Sequence, residues 1–307
     1  MVVHYSAPDK TRRCLQACLE LDYPSFTVIL VDNKSPDRSG RQLREEFSDT
    51  PILFLLNEEN EGFAAGNNLG IALGLSLGAQ AVWLLNSDAR PEPDALSALV
   101  RVLEEHEGVG GVGSKIYYDS PSKPPIFWGA GGALDSDTRE VTLRGAQQPD
   151  LGQFQLPAVV DYLPGCSLLV PLFVLQEVGL MDERYFLYFE DTDWSLAIRR
   201  QGLELYYAPS SIVWQTTSDE LLQHPTNVYY FNRNTHEFWW RNGSGIGVPR
   251  SRTLARAFAT LWQAASGLWS CNDPQKRAIF YAHFFAALHF ITRHRGRMKK
   301  RGQESYS

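Results

Sequence analysis

Carboxylates follow apolar segments at two places in this 307-residue chain. Asp88 comes shortly after the apolar run AVWLL, and Glu190, Asp191 and Asp193 lie close together in YFEDTDW. Mg²⁺ and Mn²⁺ prefer oxygen ligands, and such ions bridge phosphate oxygens with one or two protein carboxylates. An aspartate exposed behind a buried strand therefore predicts a metal anchor for a phosphate-bearing ligand at Asp88.

The acidic group around Asp191 predicts a general base. Grouped acids beside aromatic side chains repel one another and are partly desolvated, which raises the pKa of a carboxylate toward a useful range. Each site also has a purely structural interpretation, which stays open. The turn Asn86 to Asp88 is typical of a cap on the next turn. Glu190 and Asp191 would equally suit the acidic first turn of a helix.

Strands and helices alternate along the first part of the chain. Continuous apolar runs predict strands buried on both faces, each followed by a turn-rich loop and a helix. These runs are Val2 to Tyr5, Phe26 to Val31, Ile52 to Leu56 and Ala81 to Leu85. They predict an α/β fold with a mostly parallel, doubly wound, Rossmann-like sheet, whose ligands bind beyond the carboxyl ends of the strands. Asp32, Asn60 and Asp88 lie just past such ends.

The regular pattern weakens after a helix predicted from Asp94 to Glu107. Residues 119–164 are rich in Gly, Pro, Asp and Gln, which predicts an irregular or antiparallel insertion. Beyond about Val228 the composition becomes aromatic, basic and helix-like. We therefore predict an α/β domain over residues 1–228 and a helical C-terminal appendage over residues 229–307.

Composition excludes several classes of protein. Lys and Arg number 29 against 35 Asp and Glu, so there is no general electrostatic reason to bind nucleic acid. The four cysteines are too scattered for a disulfide scaffold and lack zinc-ligand spacing. The start MVVHYSAPDK lacks the regions of a signal peptide, so we expect a cytoplasmic protein.

The C-terminal part has features of a membrane-surface contact. The apolar run Ala278 to Ile291 has 14 residues, fewer than the ~20 needed to span a bilayer. With the basic run Arg293 to Arg301 and four tryptophans, it could form an interfacial helix on anionic lipid. The tryptophans are Trp239, Trp240, Trp262 and Trp269. Helical packing on the rest of the chain, with a solvated basic end, is the alternative.

Gly108, Gly110 and Gly113 satisfy the pattern GxGxxG. In a dinucleotide-binding fold this pattern follows a strand and opens a helix. Here it follows a predicted helix and leads into a predicted strand, which favours a simple helix stop over an NAD-dependent oxidoreductase.

Six segments between Val2 and Asn234 resemble, in order, glycosyltransferase family 2 of the GT-A fold, and they are most similar to its rhamnosyltransferase-like branch. The segments are VVHYS, VILVDNKSPD, NEGFAAGNNLGI, LLNSDA, PGCSLLV and VGLMDERYFLYFEDTDWSLAIRRQG. The resemblance implies inverting, Mg²⁺- or Mn²⁺-dependent transfer of rhamnose or another hexose from a dTDP- or UDP-linked donor. The implied acceptor is a glycan or a lipid-linked glycan in cell-surface polysaccharide synthesis. The implied location is the cytoplasm, or a peripheral site on the inner face of the plasma membrane.

The resemblance also implies roles for individual residues. Those implied to bind the nucleotide sugar are Tyr5, Asp32, Asn33, Ser35, Asn60, Gly62, Asn67, Asn68, Ser87, Asp88, Gly165 and Glu190. Among them, Asp32 would contact the donor's base, and Asp88 would end a DxD-like metal motif. Asp191 would be the catalytic base of an in-line displacement without a covalent sugar intermediate. On this interpretation residues 1–118 form the donor-binding half, and residues 119–228 the acceptor-side half, of a catalytic domain.

Two positions depart from the family pattern. Asn86 takes the first position of the DxD-like motif, so the metal would rest on Asp88 and the donor's phosphates. Gln215 stands near the last predicted strand, where relatives often carry a histidine able to ligate metal or donate to phosphate. The alternative function is therefore a non-catalytic relative that binds sugar nucleotides.

Overall fold

The apolar runs of the N-terminal part form parallel strands. The computed structural model describes residues 1–216 and 224–297. Its first strands are Val2–His4 (β1), Val28–Asp32 (β2), Ile52–Leu56 (β3) and Ala81–Asn86 (β4). They pair in parallel in the order β4-β1-β2-β3. All of β2 is buried, as expected for a strand covered on both faces.

Further strands make the sheet mixed. They are Ala89–Pro91 (β5), Val109–Tyr118 (β6), Phe127–Gly129 (β7), Gly132–Asp135 (β8), Glu140–Leu143 (β9), Ala158–Val160 (β10), Ser167–Pro171 (β11) and Glu204–Gln215 (β12). β11 lies antiparallel between β4 and β6. β12 runs parallel to β6, and its end pairs with β5. The predicted insertion is largely antiparallel, and β8 and β9 form a separate hairpin within it.

The glycine pattern lies at the start of β6. Gly108 has a positive φ of 71° after the preceding helix, and the strand begins at Val109. This is a helix stop that leads into a strand, as predicted, and not the strand-to-helix turn of a dinucleotide site.

Helices connect the strands and cover the sheet. They are Pro8–Leu19 (α1), Ser39–Glu46 (α2), Gly62–Ser76 (α3), Ala95–Glu105 (α4), Leu172–Glu177 (α5) and Glu190–Arg200 (α6). A core forms where α1, α2 and α4 pack on the strands, with Leu15, Leu43 and Leu99 fully buried in it. Burial of such side chains stabilises the fold by about 1.5–3 kcal/mol each. This core fixes the strand ends from which the site loops extend.

The C-terminal part is helical, as predicted. Its helices are Pro225–Asn242 (α7), Arg250–Ser270 (α8) and Pro274–Ile291 (α9). α9 packs against both α7 and α8, and its Ala282, Ala286 and Phe290 are buried. Among the residues that the structure describes, no helix is both long and apolar enough to cross a membrane.

The described residues divide into two compact units. The first contains residues 1–60, 65–181 and the chain from 191 to the end of β12. The second contains residues 61–64, 182–190 and the C-terminal helices. The boundary near Val228, and the division at residue 118, stay predictions.

Candidate active site

Asp32 ends β2, and the following loop holds its carboxylate. Its Oδ1 accepts hydrogen bonds from the N–H of Ser35 at 3.1 Å and from the Ser35 hydroxyl at 2.5 Å. A Cβ on Gly40 would lie 2.2 Å from Asp32 Cγ, so this packing requires glycine. Ser35 Oγ also accepts from the N–H of Ser6 at 2.9 Å. The loops after β1 and β2 therefore meet beside Asp32, and the ring of Tyr5 is 48% exposed in the first of them.

Asparagine side chains join the loops after β2 and β3. Asn33 Nδ2 donates to Asn60 Oδ1 at 3.1 Å, and Asn57 Nδ2 donates to Asn33 Oδ1 at 3.2 Å. Asn68 instead exchanges two hydrogen bonds with the backbone of Met181, at 2.9 and 3.1 Å. The structure thus brings Asn33 and Asn60 together near Asp32, because their strands are neighbours. Asn68 therefore fixes the position of the backbone at Met181.

The neighbouring Asn67 is buried on α3. Close packing of this helix on the sheet relies on glycine, since a Cβ on Gly66 would lie 3.0 Å from Val3 Cγ1. Asn67 is therefore fixed at the N-terminal part of a helix that approaches β1 closely.

The carboxylate of Asp88 has a different partner on each oxygen. Gln215 Nε2 donates to Oδ1 at 2.5 Å, and Lys10 Nζ lies 3.7 Å from Oδ2. Lys10 also donates to the carbonyl of Thr216 at 3.0 Å. β5 begins directly after Asp88, so Ser87 and Asp88 form a turn between two strands. Sequence analysis did not single out Lys10, which lies in the first turn of α1.

A divalent cation fits this arrangement with one protein carboxylate. Within the described parts of the chain, no group of three or more His, Cys, Asp or Glu side chains could hold a metal ion. Mg²⁺ commonly takes one or two carboxylates together with substrate phosphates and water. The Asp88 side chain is 18% exposed, so it suits a single anchor, with Ser87 half-buried in the same turn.

The carboxylate of Asp191 is fixed in the first turn of α6. Its Oδ2 accepts from the N–H of Gly165 at 2.8 Å. Its Oδ1 accepts from the N–H of Thr192 at 2.6 Å and from the Thr192 hydroxyl at 3.1 Å. Burial raises the pKa of Asp191, and these hydrogen bonds oppose the rise. Asp191 therefore occupies the acidic first turn of a helix, and it also has the pKa shift that favours a base.

One short segment lies beside both carboxylates. Gly165 donates to Asp191, and the carbonyl of the next residue, Cys166, accepts from the N–H of Asn86 at 3.1 Å. Burial, and then the charges of Asp191 and Asp88, raise the pKa of the Cys166 thiol. Asp191 and Asp88 therefore both lie near the segment of Gly165 and Cys166 within the first unit.

Gly62 and Glu190 belong to the second unit. Gly62 has a φ of 94°, and a Cβ on it would lie 2.2 Å from the Phe186 carbonyl oxygen. That carbonyl accepts from the N–H of Phe63 at 2.6 Å, so this turn requires glycine. Glu190 is buried. Burial, and then the charge of Glu190, raise the pKa of Tyr188 to about 12.

Strained backbone precedes Glu190. Phe186, Tyr188 and Phe189 have φ values of 66°, 69° and 74°, which bulky residues rarely adopt. Asn234 Nδ2 lies 2.7–2.8 Å from three carbonyl oxygens of this segment, those of Tyr185, Leu187 and Tyr188.

Arg233 supports the same backbone. Its guanidinium donates to the Tyr185 carbonyl at 2.7 Å and to the Gly296 carbonyl at 2.6 Å. Both Arg233 and Asn234 are buried. Sequence analysis missed them, although two adjacent polar residues within an aromatic-rich helix are a signal of buried hydrogen bonding.

The chain is similar in sequence to known glycosyltransferases. Residues 1–148 match a family model described as Glycosyl transferase family 2. An N-acetylglucosaminyl-diphospho-decaprenol L-rhamnosyltransferase from Mycobacterium tuberculosis is 25% identical over 266 residues, 78% of this chain and 85% of that protein. The dTDP-rhamnosyl transferase RfbF of Shigella flexneri is 24% identical over 227 residues, 70% of this chain and 71% of that protein.

Solved structures show the same fold. GalNAc-T7 with UDP, GalNAc and Mn²⁺ matches 95% of this chain with a TM-score of 0.59 and 16% identity. This chain spans only 56% of that protein's length. The mannosyltransferase PcManGT from Pyrobaculum calidifontis, in complex with GDP-Man and Mn²⁺, has a TM-score of 0.56 and 16% identity. The match covers 95% of this chain and 86% of the mannosyltransferase.

Proposed function

We propose that this chain is an inverting, metal-dependent rhamnosyl- or hexosyltransferase of glycosyltransferase family 2, whose family model matches residues 1–148. The chain has the GT-A fold. The observation that carries this proposal is that Asp88 and Asp191 both lie near the segment of Gly165 and Cys166. Such a transfer requires one carboxylate that anchors the metal and a second carboxylate that acts as the base. The names of both curated relatives support rhamnose, and RfbF supports a dTDP-linked donor over a UDP-linked one.

The donor's nucleotide is proposed to lie on the loops after β1, β2 and β3. The Asp32 carboxylate, oriented by Ser35, would accept hydrogen bonds from the base. Asn33 and Asn60 would line the same pocket, and Tyr5 offers an exposed ring for stacking. The remaining proposed contacts are Gly62, Asn67, Asn68, Ser87, Gly165 and Glu190.

The diphosphate is proposed to lie beside Asp88. A bound Mg²⁺ or Mn²⁺ would neutralise the charge that develops on the leaving diphosphate. Asp88 would hold the cation, and the Lys10 ammonium beside it adds a second positive charge for phosphate oxygens. Gln215 would orient the carboxylate through its amide.

Asp191 is proposed to accept the proton of the attacking acceptor hydroxyl. The hydrogen bonds from Gly165 and Thr192 hold the carboxylate in one orientation before the acceptor binds. A single carboxylate on the side opposite the leaving group suffices for an inverting displacement. Its raised pKa improves proton transfer at neutral pH.

The acceptor is proposed to be a glycan or a lipid-linked glycan of cell-surface polysaccharide synthesis. The mycobacterial relative is named for a decaprenol-linked acceptor, which supports the lipid-linked class. We place the protein in the cytoplasm, peripheral to the inner face of the plasma membrane. The basic tail after Arg293 would contribute to that contact, although residues 298–307 lie outside the described residues.

A thermal-shift screen with a transfer assay tests the proposal. A ligand that binds the native state raises its apparent stability. We expect dTDP-rhamnose with Mn²⁺ to raise the Tm more than dTDP-rhamnose with EDTA, and to release dTDP when a polyprenyl diphosphate-linked acceptor is added. Stabilisation without sugar transfer to any glycan or lipid-linked acceptor would favour the non-catalytic alternative. Absence of stabilisation by any nucleoside diphosphate sugar would contradict both functions.

A further inference from the structure

Helix α8 presents its three aromatic side chains to solvent. Phe258, Trp262 and Trp269, which we name the aromatic stripe, are 55%, 76% and 94% exposed. Successive members are four and seven residues apart, so they lie on one face of the helix. The buried positions of α8 are instead small, namely Thr253, Ala257 and Ala264. In a helix that packs on a core, the large apolar side chains are buried and the opposite face is polar, so the exposure of these aromatic residues is the reverse of the usual pattern.

Packing within the second unit does not need the aromatic stripe. α8 approaches α9 closely through small residues, since a Cβ on Gly267 would lie 2.3 Å from Phe280 Cε1. Beside the stripe the surface forms an apolar depression of about 570 Å³, lined by Phe258, Ala259, Leu261, Trp262, Ala265 and Phe284. An exposed apolar surface of this kind beside polar residues is typical of a site that contacts a partner or a membrane.

Basic residues flank the stripe. Arg252 and Arg256 are exposed, and at about 100° per residue they lie roughly 80–120° around the helix axis from Trp262. Arg250 lies on the other flank, with its guanidinium 5.3 Å from the Trp240 ring centroid. Asp273 is the only acidic residue of the sequence between Phe238 and Gln303. The chain as a whole has a net charge of −6, so this basic character is local.

We infer that α8 docks on an anionic lipid surface, with the aromatic stripe in the headgroup region and the flanking arginines on lipid phosphates. Tryptophan favours the membrane interface, and basic residues beside an apolar face are typical of helices that lie in it. A second copy of the chain fits less well, because pairing two stripes would bring like-charged arginines together. The inference rests on the proposed function in one respect, since a lipid-linked acceptor would lie in the same membrane.

The structure distinguishes the residues that are available for this contact from those that are not. The apolar run Ala278 to Ile291, for which the sequence left both an interfacial helix and a packed helix open, forms most of α9, which packs against α7 and α8. Its Ala282, Ala286 and Phe290 are buried and cannot reach lipid. Trp239 on α7 is buried as well. The aromatic stripe of α8 is more exposed than the aromatic side chains of α9, of which Tyr281 and Phe285 are 46% and 41% exposed.

Co-sedimentation of the full chain with vesicles tests the inference. The vesicles contain phosphatidylcholine, with or without one-third phosphatidylglycerol. We expect the full chain to bind the anionic vesicles at low salt, and high salt to weaken the binding. A combined Phe258→Ser, Trp262→Ser and Trp269→Ser variant should keep less than about a tenth of the wild-type partition coefficient. A variant with Arg252→Gln and Arg256→Gln should have a partition coefficient roughly tenfold below that of the wild type on anionic vesicles, and an unchanged one on neutral vesicles.

A matched control removes exposed apolar area elsewhere. Leu151 and Leu156 are each 78% exposed in the first unit, so Leu151→Ser with Leu156→Ser should leave vesicle binding unchanged. Thermal shift by the donor should be the same in the stripe variant and wild type, which separates this inference from the proposed function.

Three results would overturn the inference. One is that the full chain does not bind anionic vesicles at low salt. Another is a stripe variant that binds them normally while deletion of residues 293–307 abolishes binding. The third is sedimentation showing that the wild type forms a dimer, which the stripe substitutions break, without binding vesicles.

Discussion

Gln215, the last residue of β12, donates its side-chain amide to the carboxylate of Asp88 at 2.5 Å. The pairing of β12 with β5 places Gln215 opposite Ala89, the residue after Asp88. Whatever side chain stands at position 215 therefore acts on the proposed metal anchor directly. This geometry connects the two positions at which the chain departs from the pattern of glycosyltransferase family 2, because Asn86 is only two residues before Asp88.

Gln215→His should tighten metal binding roughly tenfold or raise the transfer rate. A neutral imidazole nitrogen is a better ligand for a divalent cation than an amide oxygen. Mn²⁺ affinity, measured by isothermal titration in the presence of the donor, checks the first effect. Gln80→His, at an exposed position, is the matched control and should change neither quantity.

Asp88→Ala should weaken donor and metal binding together, since the cation joins the carboxylate to the diphosphate. The gain from Gln215→His should then shrink in the Asp88→Ala background, because both residues act through one cation. Additive effects in this double-mutant cycle would place Gln215 outside the site. Equal donor affinity with and without metal in the wild type would count against the role of Asp88.

Lys10→Met should raise Mn²⁺ affinity in the absence of donor and lower donor affinity in the absence of metal. The ammonium lies 3.7 Å from Asp88 Oδ2, where it competes with a cation for the carboxylate and adds positive charge for phosphates. Because the pair is partly exposed, each change should be about two- to fivefold and should shrink at high salt. Lys10→Arg should keep both properties, and Lys123→Met, at an exposed position, should alter neither. An unchanged Mn²⁺ affinity in Lys10→Met would show that Lys10 does not compete for Asp88.

Asp191→Asn should lower the transfer rate by about 10²–10⁴-fold while donor binding stays nearly intact. The amide keeps the shape of the carboxylate but cannot accept a proton. Single-turnover transfer and donor titration separate the two effects. Asp137→Asn, in the exposed turn between β8 and β9, is the control. Normal turnover in Asp191→Asn would rule out its role as base.

The pH dependence of wild-type activity should reflect the pKa of Asp191. Burial raises its pKa above the ordinary value of 3.8, and the base must be deprotonated to act. Activity should therefore fall on acidification at a higher pH than for an ordinary aspartate. The acidic limb of kcat/KM, which reports the free enzyme, is the measurement. A limb at or below the ordinary value would contradict the raised pKa.

The sequence predicts those parts of this protein that depend on local pattern. The strands β1 to β4 follow from continuous apolar runs, and Asp32 and Asp88 could be placed at strand ends because parallel strands end at one edge. The contact of Lys10 with Asp88 could not be predicted, because it depends on how distant elements pack. Only the resemblance, and no local pattern, implied that position 215 lies near the metal site. α9 shows a second limit, since an apolar helix buried among neighbours and one lying on a membrane have similar composition.

The backbone before Glu190 supplies the last prediction. Asn234 Nδ2 contacts the carbonyls of Tyr185, Leu187 and Tyr188, in a segment with positive φ at Tyr188. Asn234→Leu keeps the volume but removes the donor, and buried carbonyls without donors cost about 1–3 kcal/mol. We expect the free energy of unfolding to fall by about that amount, and amides of residues 185–190 to exchange faster with solvent.

The control for this effect is on the same helix. Asn232 donates only to the carbonyl of Val228 within α7 at 2.8 Å, so Asn232→Leu should change stability by no more than about 0.5 kcal/mol. Because the segment ends at the residue before Asp191, Asn234→Leu should also lower kcat more than it raises KM for the donor. A stability loss with kcat unchanged would make Asn234 a purely structural residue. Full stability and normal exchange would show that the strained backbone holds its shape without this donor.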